Sequence, residues 1–279
     1  MLEPMVHLKS LRVEKSGTAW PDYFPFSVPV IASLDHLDFT APVTFLVGEN
    51  GCGKSALLET LACAVGSITA GSESVATDKS LAQARELAAH IRLAWTRRTH
   101  KGLFLRAEDF FGYVNRLSAM RAELEQDLHR VDEEYKTRTE WARSYARMAF
   151  TGELSALKGR YGRGLENYSH GEGFLEFFQA RFVPNGLYLL DEPEAPLSPK
   201  HQLTFIALVH RMVEQKAQFI IATHSPLIMA YPEATIYRFE QGHIDTARYD
   251  ELEHVWLTKS FLNNPAQWLN NLLAAGAEE

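Results

Sequence analysis

The sequence predicts an α/β fold with a mixed central sheet, an antiparallel N-terminal sheet and an inserted helical lid. Three observations predict it. A glycine-rich loop, Gly48-x-x-x-x-Gly53-Lys54-Ser55, stands between an apolar run and a pattern of helical spacing. Two later apolar runs, 187–190 and 218–222, end in polar residues, Asp191-Glu192 and Thr223-His224. Between the loop and these runs, residues 110–150 are dense in charge, poor in glycine and free of proline.

The 279 residues, 46% of them hydrophobic, suffice for one large α/β domain or one domain with an inserted subdomain. A net charge of −7 creates no global basic field to attract nucleic acid, so any such contact needs a local strip such as Arg92, Arg97, Arg98 and Lys101. Cys52 and Cys63 form no C-x-x-C pair. A disulfide framework or zinc site is not expected, and a reducing cytoplasm fits. The first residues carry Glu3, His7, Lys9 and Arg12, unlike a signal peptide. No run of about 18 apolar residues exists, so no membrane insertion is expected.

In chain order, residues 6–14 alternate apolar and polar, which predicts a strand with an irregularity at Ser10. Residues 16–29 read as a loop holding Trp20, Tyr23, Phe24 and Phe26, and 30–39 as a second strand pair. Thr44 to Val47 predicts a buried strand. Residues 64–80 read as a loop, 81–93 as a helix drifting into a strand near 91–96, and 103–105 as a strand. Leu117, Met120, Leu124, Leu128, Val131 and Tyr135 recur at three- and four-residue steps, predicting an amphipathic insertion, one helix or a hairpin of two. Residues 151–167 read as a flexible connector. The pattern at 174–182 predicts a helix, as does that at 201–215. Residues 235–239 and 243–247 predict a hairpin, and 251–275 a helical tail.

The chemistry gathers at the ends of the predicted core strands. Strand, glycine loop and helix together make a phosphate-binding loop over Gly48, Glu49, Asn50, Gly51, Cys52, Gly53, Lys54, Ser55 and Ala56. Its amides and the positive helix end face an anion. Lys54 is placed to reach β- and γ-phosphates, and the Ser55 hydroxyl to hold Mg²⁺. Asp191 at its strand end is the second Mg²⁺ ligand. Glu192 beside it can orient and deprotonate an attacking water. His224 can donate a hydrogen bond to the γ-phosphate. Tyr23 or Phe26 could stack on adenine.

Together the phosphate loop, Tyr168-Ser-His-Gly-Glu172, Leu189-Leu-Asp-Glu-Pro193 and Thr223-His-Ser-Pro226 resemble the ABC-type ATPases. The resemblance is to the soluble branch of SMC, Rad50, RecF and OLD-like proteins, often called AAA family ATPases. It covers the chain except for the helical insertion. It implies a P-loop NTPase that hydrolyses ATP with Mg²⁺ and closes as a homodimer on ATP. Ser169, Gly171 and Glu172 would be the signature that covers the twin's nucleotide in trans. Residues 1–109 and 168–279 would form the two parts of the ATPase core, and 110–167 the lid. His170 replaces a glycine in the signature. Three further departures stand out. Glu108 is the best substitute for the family's middle-strand Gln. Ser198 stands where an Asp is expected. The SMC and Rad50 proteins carry very long arms, and this chain does not. The output implied is a switch or drive for a separate nuclease or effector in DNA repair or phage defence, with weak DNA contact. The alternative is the ATPase subunit of a membrane ABC transporter.

Overall fold

The computed structural model describes residues 5–15, 20–69, 75–161 and 170–275. Its centre is a six-stranded sheet in the order β5-β6-β7-β3-β8-β9. The strands are β3 (Val43–Gly48), β5 (Gly102–Arg106), β6 (Leu187–Asp191), β7 (Gln218–Ala222), β8 (Thr235–Glu240) and β9 (His243–Thr246). All pairs are parallel except β8–β9, a hairpin, so the sheet is mixed. A separate three-stranded antiparallel sheet, β2-β1-β4, comprises β1 (Leu8–Val13), β2 (His36–Asp38) and β4 (Ile91–Trp95). The expected irregularity at Ser10 is present as a register shift against β4 between Leu8 and Ser10.

The central strands are buried on both faces, which explains their near-continuous apolar runs. On one face Phe45, Tyr188, Leu190, Phe219 and Ile221 join helices α6 (His170–Arg181) and α7 (Pro199–Glu214). On the other, Leu46, Leu189, Ile220 and Ala222 join α2 (Lys54–Val65), α3 (Ala82–Ala88) and the antiparallel sheet. A fully buried polar seam ties the two sheets. The Gln218 side chain accepts from the amides of His7 (2.9 Å) and Leu8 (2.8 Å) and donates to the Leu8 carbonyl (3.0 Å). A buried amide so matched replaces hydrogen bonds that both backbones would otherwise lose.

The insertion is a helical hairpin of α4 (Ala107–Glu134) and α5 (Glu140–Tyr161). Twenty-eight residues of α4 span about 42 Å at 1.5 Å each. Asp132 on α4 accepts from Arg143 (2.9 Å) and Arg147 (2.9 Å) on α5. The tail folds into α9 (Glu253–Asn263) and α10 (Pro265–Ala275), after a short α8 (Pro226–Met229).

Three expectations are corrected or sharpened. Residues 30–39 are not a strand pair: Pro29–Ser33 forms a helical turn, α1, and only His36–Asp38 is a strand. Pro29 occupies the first helical position, where its fixed φ favours a helix and its missing N–H costs nothing. The helix over 81–93 ends at Ala88, and the expected drift into a strand is present as Ile91–Trp95, which pairs with β1. The connector over 151–167 is helical to Tyr161, because α5 continues through Gly152 with Leu154 buried; residues 162–169 lie outside the described residues.

Candidate functional site

The loop after β3 is shaped by what its glycines must avoid. A Cβ on Gly48 would stand 2.5 Å from the Phe239 carbonyl oxygen of β8. Gly53 has φ +107°, and a Cβ there would strike Val28 Cγ1 at 2.8 Å. Only glycine satisfies both the space and the left-handed backbone. Lys54 is 4% exposed, and its ammonium donates to the carbonyls of Gly48 (2.8 Å) and Glu49 (2.7 Å). A buried cation therefore sits inside the loop, beneath the exposed backbone of Glu49, Asn50, Gly51 and Ser55. Cys52 Sγ lies 3.7 Å from it. Ala56 is buried in the first turn of α2.

Parallel pairing brings the acidic strand to this loop. Asp191 registers with Ala222, and Ala222 with Leu46, two residues before Gly48. Asp191 is 8% exposed, and its Oδ1 is buried without a hydrogen-bond partner. Burial pushes its pKa up to about 6, against a lowering hydrogen bond from Ser55 and the Lys54 charge; Glu192 and Glu59 push it further up. A carboxylate left short of partners beside a hydroxyl suits a hard cation. Among the described residues no group of three or more His, Cys, Asp or Glu side chains could hold a metal ion. Mg²⁺ does not need one, since it takes one or two protein ligands and completes its shell with phosphates and water. Ser55 and Asp191 thus fit the expected ion.

Glu192 follows with φ +49°, a left-handed conformation uncommon for a residue with a side chain. Its amide still donates to Ala222 (2.9 Å), so the strand pairing survives the turn. The turn swings its carboxylate to 3.6 Å from His224 Nε2. Strain of this kind persists where the surroundings hold it, and it concentrates at functional sites. The backbone N–H of His224 donates to Glu194 Oε1 at 2.6 Å, and its Nδ1 lies 3.4 Å from His254 Nε2. Burial first, then the Lys54 charge, lowers the His224 pKa, which favours neutral imidazole. Burial raises that of Glu194.

Sequence reasoning passed over Glu194 and His254. Glu194 lies two residues from Glu192 within an acidic motif that could have flagged it. His254 carries no motif and comes from α9, thirty residues beyond its partner.

The end of β5 differs from expectation. Arg106, registered beside Asp191, occupies it. Its guanidinium donates to Asp109 (2.8 Å), to Glu59 on α2 (3.1 Å) and to Ser80 (3.1 Å), with Asp78 at 3.5 Å. An arginine that is 11% exposed among three carboxylates joins α2 to the first turn of α4. These partners raise its pKa, although burial opposes them. Glu108 lies in the first turn of α4, and its side chain is outside the described residues.

The signature is described in part. Ser169 lies outside the described residues, whereas Gly171 and Glu172 occupy the first turn of α6. A Cβ on Gly171 would meet His201 Nδ1 at 2.6 Å, so close packing of α6 on α7 already requires glycine. Ser198 caps α7, accepting from the His201 amide (3.4 Å). Of the two aromatic candidates, Phe26 is 1% exposed and packed edge-on against Trp20 and His90. Tyr23 is half-exposed, with its hydroxyl donating to Glu86 (3.0 Å). Arg92, Arg97, Arg98 and Lys101 are all exposed, Arg92 pairing with Glu14 at 3.0 Å. No helix among the described residues is long and apolar enough to cross a membrane.

Residues 30–162 match a family model described as an AAA domain. No curated protein matches the chain. Among solved structures, the chain is similar to the Smc head domain with an extended coiled coil bound to the C-terminal domain of ScpA, from Pyrococcus furiosus. That similarity has 12% identity over 86% of this chain and 96% of the other, with TM-score 0.44. It is also similar to a nucleotide-free ATP-binding cassette from an ABC transporter (17% identity, 92% and 96% coverage, TM-score 0.47). A third likeness is to CbiO1 from Clostridium perfringens, part of an ABC transporter complex (16%, 95% and 98%, TM-score 0.44).

Proposed function

We propose that this chain, a P-loop ATPase domain of the ABC and SMC type, hydrolyses ATP to ADP and phosphate and uses the cycle to switch a partner. The observation that carries the reading is the left-handed turn at Glu192, which sets one carboxylate beside His224 while leaving Asp191 turned toward Ser55. The loop amides and Lys54 bind the phosphates. Ser55 and Asp191 would hold Mg²⁺, which would supply charge neutralisation at the phosphates. Glu192 orients a water in line with the γ-phosphate and takes its proton. Neutral His224 donates a hydrogen bond to the γ-phosphate.

The same reading makes the active form a homodimer. Ser169, Gly171 and Glu172 would cover the partner's nucleotide under a two-fold axis, so both sites form together. The highly charged hairpin inserted after β5, with the altered signature and middle-strand positions, favours a role in DNA repair or phage defence with an effector or nuclease, in the cytoplasm, over the transporter alternative. DNA contact would be weak and salt-sensitive, through Arg92, Arg97, Arg98 and Lys101. The test is light scattering of Glu192→Gln protein with Mg-ATP and without nucleotide. A dimer only with Mg-ATP is expected. A monomer in both states, or a Ser169→Arg variant that dimerises and turns over normally, would end the dimer reading.

A further inference from the structure

His224 is held at three points, and one of them comes from outside the nucleotide-binding strands. Glu194 Oε1 accepts from its backbone N–H at 2.6 Å. Glu192 Oε1 lies 3.6 Å from its Nε2, which is buried and has no hydrogen-bond partner. His254 Nε2 lies 3.4 Å from its Nδ1, with the two ring centroids 5.4 Å apart. A neutral imidazole carries one proton, and the neighbour at each nitrogen decides where it sits. A carboxylate only accepts, so Glu192 at 3.6 Å favours the His224 proton on Nε2 without forming a hydrogen bond to it. Among the described residues the ring nitrogen facing Nδ1 is His254 Nε2, and if it donates, Nδ1 is the acceptor and the proton stays on Nε2.

We propose that His254 is a positioning residue: its Nε2–H donates to His224 Nδ1 and keeps the His224 proton on Nε2, the nitrogen that meets the γ-phosphate. The claim rests on the reading of His224 as the γ-phosphate contact. His254 belongs to the first turn of α9, which packs on α8. It also lines a cavity of about 380 Å³ shared with Glu49, Cys52 and Glu251. Without His254 no donor holds Nδ1 as an acceptor, and Glu192 at 3.6 Å makes no hydrogen bond that would keep the proton on Nε2; the Nδ1–H form cannot donate to the phosphate.

The experiment pairs nitrogen-15 histidine spectra of the nucleotide-free protein with steady-state ATP hydrolysis, for wild type, His254→Ala and His254→Gln. The Gln amide N–H can replace the imidazole Nε2–H. His224 is expected to be protonated on Nε2 in wild type and in His254→Gln, and to show both tautomers in His254→Ala. kcat for ATP should fall about two- to tenfold in the alanine variant, the equivalent of one net hydrogen bond. KM should stay within about twofold, and Gln should restore kcat. Wild-type His224 protonated on Nδ1 would overturn the proposal. So would an alanine variant with unaltered spectrum and kcat, or a folded glutamine variant that restores neither. If the alanine variant fails to fold, the wild-type spectrum and the glutamine variant still decide. Wild-type protein that hydrolyses no ATP would sink the ATPase reading alone, because the tautomer is read without nucleotide.

Discussion

The ends of the central strands and the helical hairpin treat charge in opposite ways. At the strand ends polar groups are buried and short of partners: Asp191 Oδ1, Glu194 Oε2 and His224 Nε2 are all buried and make no hydrogen bond. On the hairpin charges are partly exposed and paired: Arg121 with Glu125, Arg130 with Asp127, and Arg143 and Arg147 with Asp132. A buried charge without partners costs folding stability, whereas an exposed pair adds little. The strand ends are therefore built for something other than stability, and the hairpin for solubility and shape. Arg106 stands where the two regimes meet, buried like the first and fully engaged like the second.

That contrast can be broken or sharpened by experiment, beginning with the largest expected effect. Replacing Glu192 by Gln keeps shape and removes the base. ATP binding should persist while kcat falls about 10²-fold or more, as general-base removal does; turnover at the wild-type rate would end its assignment. Lys54→Ala deletes charge-assisted contacts to phosphate, each worth about 1.5–3 kcal/mol. ATP affinity by calorimetry should fall about tenfold or more, and unchanged affinity would overturn the phosphate loop.

Asp191 tests the cost of the buried carboxylate. Its folded pKa of about 6 exceeds the ordinary value of 3.8. The native state therefore holds the proton more tightly than the unfolded chain, and the charged form destabilises the fold above pH 6. Asp191→Asn should raise the melting temperature of nucleotide-free protein at pH 7.5. The gain should shrink as pH falls below about 6 and vanish near pH 4, where both states are protonated. A lower melting temperature at pH 7.5 would contradict the burial argument. With Mg-ATP the same substitution should lose affinity, because the cation that reverses the cost is no longer held. The smallest effect belongs to the hairpin. Arg147→Ala breaks an exposed pair and should change stability by less than about 1 kcal/mol, with turnover unaltered. A larger loss would place the hairpin among the parts that hold the fold together.

Much of this was legible beforehand because it is written in contiguous residues. Gly48 to Ser55 lie on one loop, Asp191 and Glu192 end one strand, and His224 ends another, so each group announces itself by local pattern. The errors arose where local pattern is ambiguous. Val30 and Ile31 are equally good in a strand or a buried helical turn, and Pro29 tipped the balance. Over 81–93 the helical spacing runs into Ile91, so the sequence left helix and strand both open there, and pairing with β1 decided for the strand.

By itself the sequence determined the α/β class, the phosphate loop and the identity of the residues at the strand ends, since spacing and residue type act within one element. Tertiary structure alone decided which elements meet. Register between β6 and β7 sets Glu192 against His224. The return of the tail sets His254 on His224, the buried Gln218 amide joins two sheets through His7 and Leu8, and Arg106 takes the place beside Asp191. Such contacts link residues up to 211 positions apart. They follow from which apolar faces can be buried together and which buried polar groups must then be satisfied, and no local repeat carries that information.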